Sequence, residues 1–171
     1  MDFFDVVNNR QSVRAYQPKA IEEHKLQSVL DAVAQAPTAG GLQAFQIYLV
    51  REPKLKQALA KSALDQAFIA HAPLVLVFCA HKARSGAHYE ARGEMLYSVQ
   101  DATIAAAYAQ LAATAVGLAT CWIGAFSEEQ VSQILGVPPE QRPVALLPIG
   151  YAAELPRRTP RRPVSELVLE K

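Results

Sequence analysis

A continuous apolar run at residues 73–80, PLVLVFCA, constrains the fold of this chain more than any other segment. The run has the length of a β-strand and shows no alternation between apolar and polar residues. Such a pattern predicts a strand that is buried on both faces, as a central strand of a covered sheet is. The rest of the chain is therefore expected to supply neighbouring strands and covering helices.

Helical and β-strand patterns alternate along most of the sequence. Further strands are predicted at Phe45–Val50, Ala119–Gly124 and Pro143–Ile149. Helices are predicted at Asp2–Asn9, Ile21–Gln35, Pro53–Leu64 and Arg92–Val116, and after Ser127, which caps a helix ending near Gly136. The polar segment His81–Ala91 contains Ser85-Gly86 and predicts a loop. Strands separated by helices indicate an α/β or α+β domain with at least four strands, and no repeat or long linker divides the 171 residues.

Charge is sparse and balanced in this sequence. Lys and Arg number 17, Asp and Glu number 16, and hydrophobic residues make up 51%. The balance excludes a generic nucleic-acid binder that works through a large positive field. The apolar share excludes global disorder. So few charges on a small domain also predict that another subunit covers part of its apolar surface.

The cysteines and histidines do not predict a metal site or a disulfide framework. Cys79 and Cys121 lie in apolar runs and are interpreted as small buried hydrophobic residues. The four histidines have no metal-binding spacing, so no metal is expected. The first ten residues lack the character of a signal peptide, and the Ala-rich region 102–126 lacks the hydrophobicity of a membrane span. A cytoplasmic location is therefore expected.

Two segments in the first quarter of the chain carry candidate binding chemistry. In RQSVR at 10–14, two guanidinium groups and a hydroxyl could surround one anion, although a solvated basic loop has the same composition. In APTAGGLQ at 36–43, the glycines would allow backbone amides to approach a flat or anionic ligand. The same residues would also make an ordinary turn between a helix and a strand.

Two further candidate segments lie in the second half of the chain. GLATCWIGAF at 117–126 puts the only tryptophan, Trp122, beside Gly124, whose N–H could reach a ligand, while core packing explains the tryptophan equally well. Four arginines crowd positions 157–162, either as a solvated tail or as additional contacts to an anion held by Arg10 and Ser12. The apolar end of this tail needs a surface to pack on, which a neighbouring subunit would supply.

Taken together in their order and spacing, these segments resemble the nitroreductase family of FMN-dependent oxidoreductases. The matching residues are RQSVRAY at 10–16, APTAGGLQ at 36–43, AP at 72–73, the long helix from Asp101, GLATCWIGAF at 117–126, PIGY at 148–151 and RRP at 161–163. The resemblance implies an α+β fold, with a central, mostly antiparallel sheet of four to five strands flanked by helices, in an intertwined homodimer. Residues 1–171 would form a single FMN-binding domain, and residues 155–171 an arm that crosses to the partner subunit.

The resemblance also implies which residues would bind the cofactor. They are Arg10, Gln11, Ser12, Arg14, Pro37, Thr38, Ala39, Gly40, Gly41, Gln66, Trp122, Ile123, Gly124, Arg161 and Arg162. Arg10 and Ser12 match phosphate contacts, and Arg14 matches the basic position at the N1/O2 edge of the flavin, where it would favour the reduced state. The Gly124 N–H matches a donor near flavin N5, and no side chain is expected to act as a general acid or base.

Other positions match the remaining walls of the flavin site or depart from the family pattern. Residues 37–41 match the segment that lines the flavin of the partner subunit, Gln66 matches the pyrimidine side, and Arg161 or Arg162 matches a C-terminal phosphate contact.

Gly41 stands where many members carry Asn. The chain is also short for the family and leaves little room for the insertion that covers the substrate in larger members. His88, Tyr89 and Arg92 are expected to form a substitute lid.

The predicted activity is that of an NAD(P)H-dependent FMN oxidoreductase. Hydride would pass through flavin N5 to nitroaromatic, quinone or similar small acceptors by a ping-pong mechanism, with NADH or NADPH as the donor. Three alternatives remain open at this point: a related FMN oxidase or dehalogenase, a flavin-binding or regulatory dimer with little turnover, and an anion-binding interaction module. The expected partners are a second copy of the chain and a small acceptor, without nucleic acid or membrane.

Overall fold

The apolar run forms an inner strand of a four-stranded sheet, as its composition predicts. In the computed structural model, which describes residues 1–171, β1 spans Phe45–Val50, β2 Leu74–His81, β3 Ala119–Thr120 and β4 Gln141–Gly150. The strand order is β1-β2-β4-β3, and all three pairings are antiparallel. Seven of the eight residues of β2 are buried, because helices cover both faces of the sheet.

Seven helices surround the sheet. They are α1 (Phe3–Asn9), α2 (Glu23–Ala34), α3 (Pro53–Ser62), α4 (Phe68–His71), α5 (Lys82–Arg92), α6 (Ser98–Ala115) and α7 (Glu128–Leu135). A π-helical turn at Gly93–Tyr97 joins α5 to α6, and short 3₁₀ turns occur at Ala39–Gly41 and Val164–Glu166. None of these helices combines the length and the apolar character that a membrane crossing requires.

Alternate residues of β2 point into two separate cores. Phe78 packs with residues of α2 and α6 on one face of the sheet. Val77 packs on the other face with Leu59 of α3 and Val131 of α7. The buried positions of α6 are mostly alanines, which have little side chain to hold the helix away from the strands.

Helix ends follow the capping signals of the sequence. The Ser127 hydroxyl accepts a hydrogen bond from the Gln130 N–H (3.3 Å) at the start of α7, as predicted. Gly136 ends that helix with a φ of 64°, a conformation that glycine adopts at little cost. α3 stops at Ser62, two residues before the predicted end, since Leu64 and Asp65 both have positive φ. The short α4 was not predicted.

The segment predicted as a loop at His81–Ala91 is helical, and this prediction was wrong. Ser85-Gly86 does not interrupt α5, because Gly86 serves close packing: a Cβ there would lie 2.5 Å from the Glu94 side chain. A Cβ at Gly93 would lie 2.4 Å from the Ser85 carbonyl oxygen. The predicted helix Arg92–Val116 is accordingly divided by the π-helical turn. Residues 82–97 thus form a tight helical unit, which we call the 82–97 hairpin.

The predicted strand Ala119–Gly124 is mostly irregular. Only Ala119–Thr120 pairs with β4, and a single bridge joins Ile123 to Leu146 further along. The four antiparallel strands agree with the predicted α+β sheet.

Candidate functional site

The segment after α1 is held against the short strand β3. Ser12 forms a parallel bridge with Thr120, and the Val13 N–H donates to the Thr120 carbonyl oxygen (3.0 Å). The Arg14 N–H donates to a carboxylate oxygen of Glu154 (2.5 Å). The buried Tyr16 forms a further bridge with Ala152. These contacts bring the beginning of the chain beside its last thirty residues.

Arginines from both ends of the chain meet in one small cavity. The cavity measures about 110 Å³ and is lined by Arg10, Gln11, Ser12, Arg14, Arg157, Thr159 and Arg161. We call it the anion cavity. None of its lining residues is acidic or hydrophobic, and four of them are arginines. Guanidinium groups and hydroxyls are the donors that bind the oxygens of a phosphate group in proteins.

The two candidate arginines in the tail lie in different surroundings. Arg161 lines the anion cavity and also an adjacent cavity of about 350 Å³. Arg162 lines neither: its Nε donates to a Glu166 carboxylate oxygen (3.1 Å), and its Nη2 donates to the Glu166 carbonyl (2.9 Å). Arg157 and Thr159 were not among the residues that the family resemblance assigned to the cofactor, although the arginine run at 157–162 was itself considered as a source of anion contacts.

Gln11 lines the anion cavity and holds the tail beside it. In the orientation that satisfies both ends of its amide, the nitrogen donates to the Pro156 carbonyl (3.0 Å) and the oxygen accepts from Arg158 Nε (3.3 Å). Gln11 therefore positions the arginine-rich tail.

A buried cysteine lies next to the anion cavity. Cys121 follows Thr120 and is 1% exposed. Burial raises the pKa of the Cys121 thiol, and Arg14 and the Ser12 hydroxyl act against that rise. The thiol therefore stays uncharged near neutral pH and does not repel an anion.

The chain then turns at Trp122–Gly124. Gly124 is exposed, and its N–H has no hydrogen-bond partner within the chain. Ile123 was expected to contact the cofactor, but it is only 3% exposed. Its N–H and its carbonyl both pair with Leu146 (3.0 Å each). Ile123 is a core residue, and Trp122 is half-buried against the core of α2 and α6.

Gln66 follows the end of α3, which is hydrogen-bonded to the segment after this turn. The Ser127 N–H donates to the Ser62 carbonyl (2.8 Å), which ties the 124–127 segment to that helix end. The strained residues Leu64 and Asp65 lead from there to Gln66, whose side chain donates to the Ala63 carbonyl (2.8 Å).

The segment 37–41 lies at a different cavity from the arginines. This cavity of about 540 Å³ is lined by Pro37, Thr38, Ala39, Tyr97, Val99, Gln100, Asp101, Thr103 and Ile104. It shares no residue with the anion cavity. We call it the slot. Within a single chain, the two predicted halves of the cofactor site are therefore separate.

A buried carboxylate fixes the conformation of the segment that borders the slot. Asp101, 2% exposed in the first turn of α6, accepts hydrogen bonds from the N–H groups of Ala39 (3.0 Å) and Ala44 (3.2 Å). Between them, Gly40 and Gly41 have φ values of 59° and 69°. Sequence reasoning did not identify Asp101 in this role, although it did place the start of the family-matching helix there.

The three predicted lid residues lie on the 82–97 hairpin, in α5 rather than in a loop. The Tyr89 hydroxyl lies so close to Gly40 that a Cβ there would be 2.4 Å away. Tyr89 also packs edge to face on Tyr97, which lines the slot, with ring centroids 5.1 Å apart. His88 packs edge to face on Tyr89, and Arg92 Nε donates to the Tyr97 hydroxyl (2.8 Å).

An apolar groove lies on the outer side of α1, α2 and α6. It measures about 480 Å³ and is lined by Met1, Phe3, Val6, Ala32, Tyr108, Leu111, Ala112 and Ala115. All eight residues are hydrophobic, and Phe3 and Phe4 are 64% and 75% exposed. α6 thus has an apolar surface on the side away from the sheet as well as on the side facing it.

Comparisons with known proteins agree on one family. A family model described as "Nitroreductase family" matches residues 7–70 and 63–151. An NADH dehydrogenase from Thermus thermophilus is 30% identical over 94% of this chain and 91% of its own length. An FMN reductase (NADPH) from Bacillus subtilis is 27% identical over 93% of this chain and 69% of its own length.

Solved structures give the same result. The structure of B. megaterium NfrA2 superposes with a TM-score of 0.92 at 26% identity, covering 100% of this chain and 75% of that one. The NADPH:FMN oxidoreductase from Vibrio harveyi, solved in complex with NAD⁺, superposes with a TM-score of 0.89 at 25% identity. That match covers 98% of this chain and 76% of the Vibrio chain.

Proposed function

The chain belongs to the nitroreductase family, and from that premise we propose that it is an enzyme that uses FMN and NAD(P)H to reduce small electron acceptors. The observation that carries this proposal is the convergence of four arginines and Ser12 on the anion cavity, beside a turn with a free backbone donor. When bound, FMN would supply the redox chemistry, which is hydride transfer from NAD(P)H to a nitroaromatic or quinone acceptor in two ping-pong half-reactions.

The residues of the anion cavity fit the phosphate group of FMN. Arg10, Ser12 and Arg161 would donate to its oxygens, and Arg157 would add a further positive charge. Arg14 lines the same cavity, and we assign it to the N1/O2 edge of the ring, where a guanidinium favours negative charge on reduced flavin. Because the lining is wholly polar and carries no carboxylate, no group in it opposes an anion.

The residues beyond Thr120 would hold the ring. The free N–H of Gly124 is assigned to the N5 region, and Gln66 is assigned to the pyrimidine edge. These groups bind and orient; no ionisable side chain among them is assigned a proton-transfer step.

A second subunit would complete the site. We assign Pro37–Gly41 to the flavin of the partner subunit, since this segment and the anion cavity do not meet within one chain. The apolar groove of α1 and α6 supports a homodimer, because burial of its surface is worth about 25 cal/mol for each Å² removed from water. The arm at residues 155–171 would reach the partner with its part beyond Arg161, where Val164 and Leu169, 72% and 78% exposed here, would be covered.

The phosphate assignment predicts a difference between two neighbouring arginines. Arg161→Ala removes a charge-assisted contact worth about 1.5–3 kcal/mol, so the Kd for FMN should rise roughly 10- to 150-fold. Arg162→Ala is the matched control, since its surface ion pair with Glu166 is worth about 0–1 kcal/mol and touches no cavity. Fluorescence titration of apoprotein with FMN measures both. Equal effects of the two variants would contradict the assignment.

The enzymatic proposal is tested separately by anaerobic addition of NADH or NADPH to the FMN-loaded protein. Rapid loss of the visible flavin absorbance, followed by its return on adding a quinone, is the expected result. Protein that takes up no added FMN would refute the cofactor assignment. Flavin that binds but is reduced only slowly by both nucleotides would instead favour a flavin-binding dimer with little turnover.

A further inference from the structure

The 82–97 hairpin presents a row of aromatic rings that ends in a guanidinium. His88, Tyr89 and Tyr97 pack edge to face in sequence, with centroid distances of 4.5 and 5.1 Å. The guanidinium carbon of Arg92 lies 5.3 Å from the centroid of the Tyr97 ring, and its Nε donates to the Tyr97 hydroxyl. The row therefore combines flat apolar surface with a positioned positive charge.

Arg92 is held in place but its charge is not neutralised. No carboxylate lies within 4.0 Å of it, and its two terminal nitrogens donate to nothing in the chain. The carboxylate of the nearby Glu94 packs instead against Gly86. By contrast, Arg51 and Arg142 pair with glutamates, and Arg84 donates to the Gln43 carbonyl. Four arginines lie outside the anion cavity and the tail, and of these only Arg92 has no acceptor for its terminal nitrogens.

The row borders the slot next to the segment assigned to the flavin. Tyr97 forms part of the slot wall with Pro37 and Ala39, and Tyr89 touches Gly40. The one carboxylate in the wall, Asp101, already accepts two backbone hydrogen bonds. Arg92 does not line the slot itself, but its guanidinium lies against the ring and the hydroxyl of Tyr97, which does. A negatively charged ligand packed on Tyr97 would therefore lie next to a guanidinium with two free donors.

The 82–97 hairpin contains one unfavourable backbone conformation, at Glu90. Glu90 has φ 51° and ψ −143°, values that a residue with a side chain seldom adopts. The irregular turn at Glu90 lies between Tyr89 and Arg92, and both of these residues contact Tyr97. Strain of this kind persists where surrounding contacts fix it and is frequent at ligand-binding segments.

We propose that Arg92 and the aromatic row of the 82–97 hairpin select electron acceptors that are planar rings with an anionic substituent, such as a carboxylate. The ring would pack against Tyr97 in the slot, and the substituent would accept hydrogen bonds from the terminal nitrogens of Arg92 beside Tyr97. This inference rests on the proposed function, because it names the acceptor class of the same site. Arg92 would act in binding and orientation only.

The test compares 4-nitrobenzoate with its uncharged counterpart 4-nitrobenzamide, using FMN-loaded enzyme and saturating NAD(P)H. In Arg92→Gln, KM for 4-nitrobenzoate should rise about tenfold, the size expected for loss of one charge-assisted contact, while KM for 4-nitrobenzamide changes less than twofold. Arg92→Lys should recover part of the difference. Arg51→Ala, which removes a paired arginine away from the slot, is the matched control and should leave both KM values unchanged.

Two further measurements keep the inference separate from the proposed function and from misfolding. The visible absorbance of bound FMN and its complete bleaching by saturating NAD(P)H should be retained in Arg92→Gln, which shows that the variant is folded and loaded. In the parent protein, rising salt should increase KM for 4-nitrobenzoate but not for 4-nitrobenzamide. Equal KM changes for both acceptors, or no difference in salt response, would overturn the inference. Failure of NAD(P)H to reduce the flavin at all would instead overturn the proposed function.

Discussion

Replacing Asp101 by Asn tests whether one buried carboxylate organises the segment that borders the slot. The two side chains have nearly the same shape, but the carboxylate accepts two hydrogen bonds where the amide can accept one and must present an NH₂ group to the other donor. One of the two N–H groups, that of Ala39 or that of the fully buried Ala44, then loses its acceptor.

The size of the effect follows from these two contacts. A hydrogen bond to a charged group contributes about 1.5–3 kcal/mol, and a buried donor left without a partner costs about 1–3 kcal/mol. Since Asp101→Asn keeps one of the two contacts, we expect the free energy of unfolding to fall by about 2–3 kcal/mol. For a chain of this length that corresponds to a decrease in Tm of roughly 4–12 °C.

Urea denaturation of the apoprotein, followed by circular dichroism, measures this change without any contribution from bound flavin. The matched control is Asp31→Asn, because Asp31 is exposed and bonds only the Gln27 side chain (2.7 Å). That control should change the free energy of unfolding by less than about 0.5 kcal/mol. If Asp101→Asn were as mild as Asp31→Asn, the carboxylate would not hold the 38–44 segment and the reasoning would be wrong.

Two other predictions concern contacts elsewhere in the structure. The hydrogen bond from the Tyr151 hydroxyl is the main reason why the pKa of Glu22 falls from about 4.5 to about 2, so its stabilisation is present above pH 4.5 and is lost as the pH falls toward 2. The difference in unfolding free energy between the parent protein and Tyr151→Phe should therefore shrink below pH 4.5, and a constant difference down to pH 2 in urea titrations would contradict this. Gly40→Ala should lower the free energy of unfolding by about 1–3 kcal/mol, through positive φ and contact with Tyr89. Adding Tyr89→Phe should recover part of that loss in a double-mutant cycle, and strict additivity would exclude the contact.

Much of the fold could be predicted because local patterns and tertiary packing agree. The run at 73–80 has no polar residue, so only a strand covered on both faces accommodates it, and Ser127 and Gly136 have clear capping roles. The 82–97 hairpin could not be predicted, because Gly86 and Gly93 serve close packing there instead of interrupting a helix. Propensity alone does not distinguish these two uses of glycine.

The candidate site was predicted in parts. Arg10, Ser12 and Arg161 line one cavity, as a shared phosphate contact requires, and Arg14, predicted at the N1/O2 edge, lines it too; assigning them to FMN stays a prediction. The choice between Arg161 and Arg162 depends on the pairing of Arg162 with Glu166, and tail conformations of this kind leave no pattern in the sequence. Asp101 was missed in its role because its partners are backbone N–H groups 57 and 62 residues earlier in the chain.

The pairing of the first residues with the last thirty has a consequence for the order of folding. The bridge from Ser12 to Thr120 and the hydrogen bond from Arg14 to Glu154, 140 positions away, close some of the longest loops in the chain. Contacts across such loops cost the most chain entropy and tend to form late. During synthesis, residues 10–16 leave the ribosome long before residue 154 exists. The anion cavity can therefore assemble only after Arg161 has been synthesised, and a ligand captured there would stabilise contacts that form late in the nascent protein.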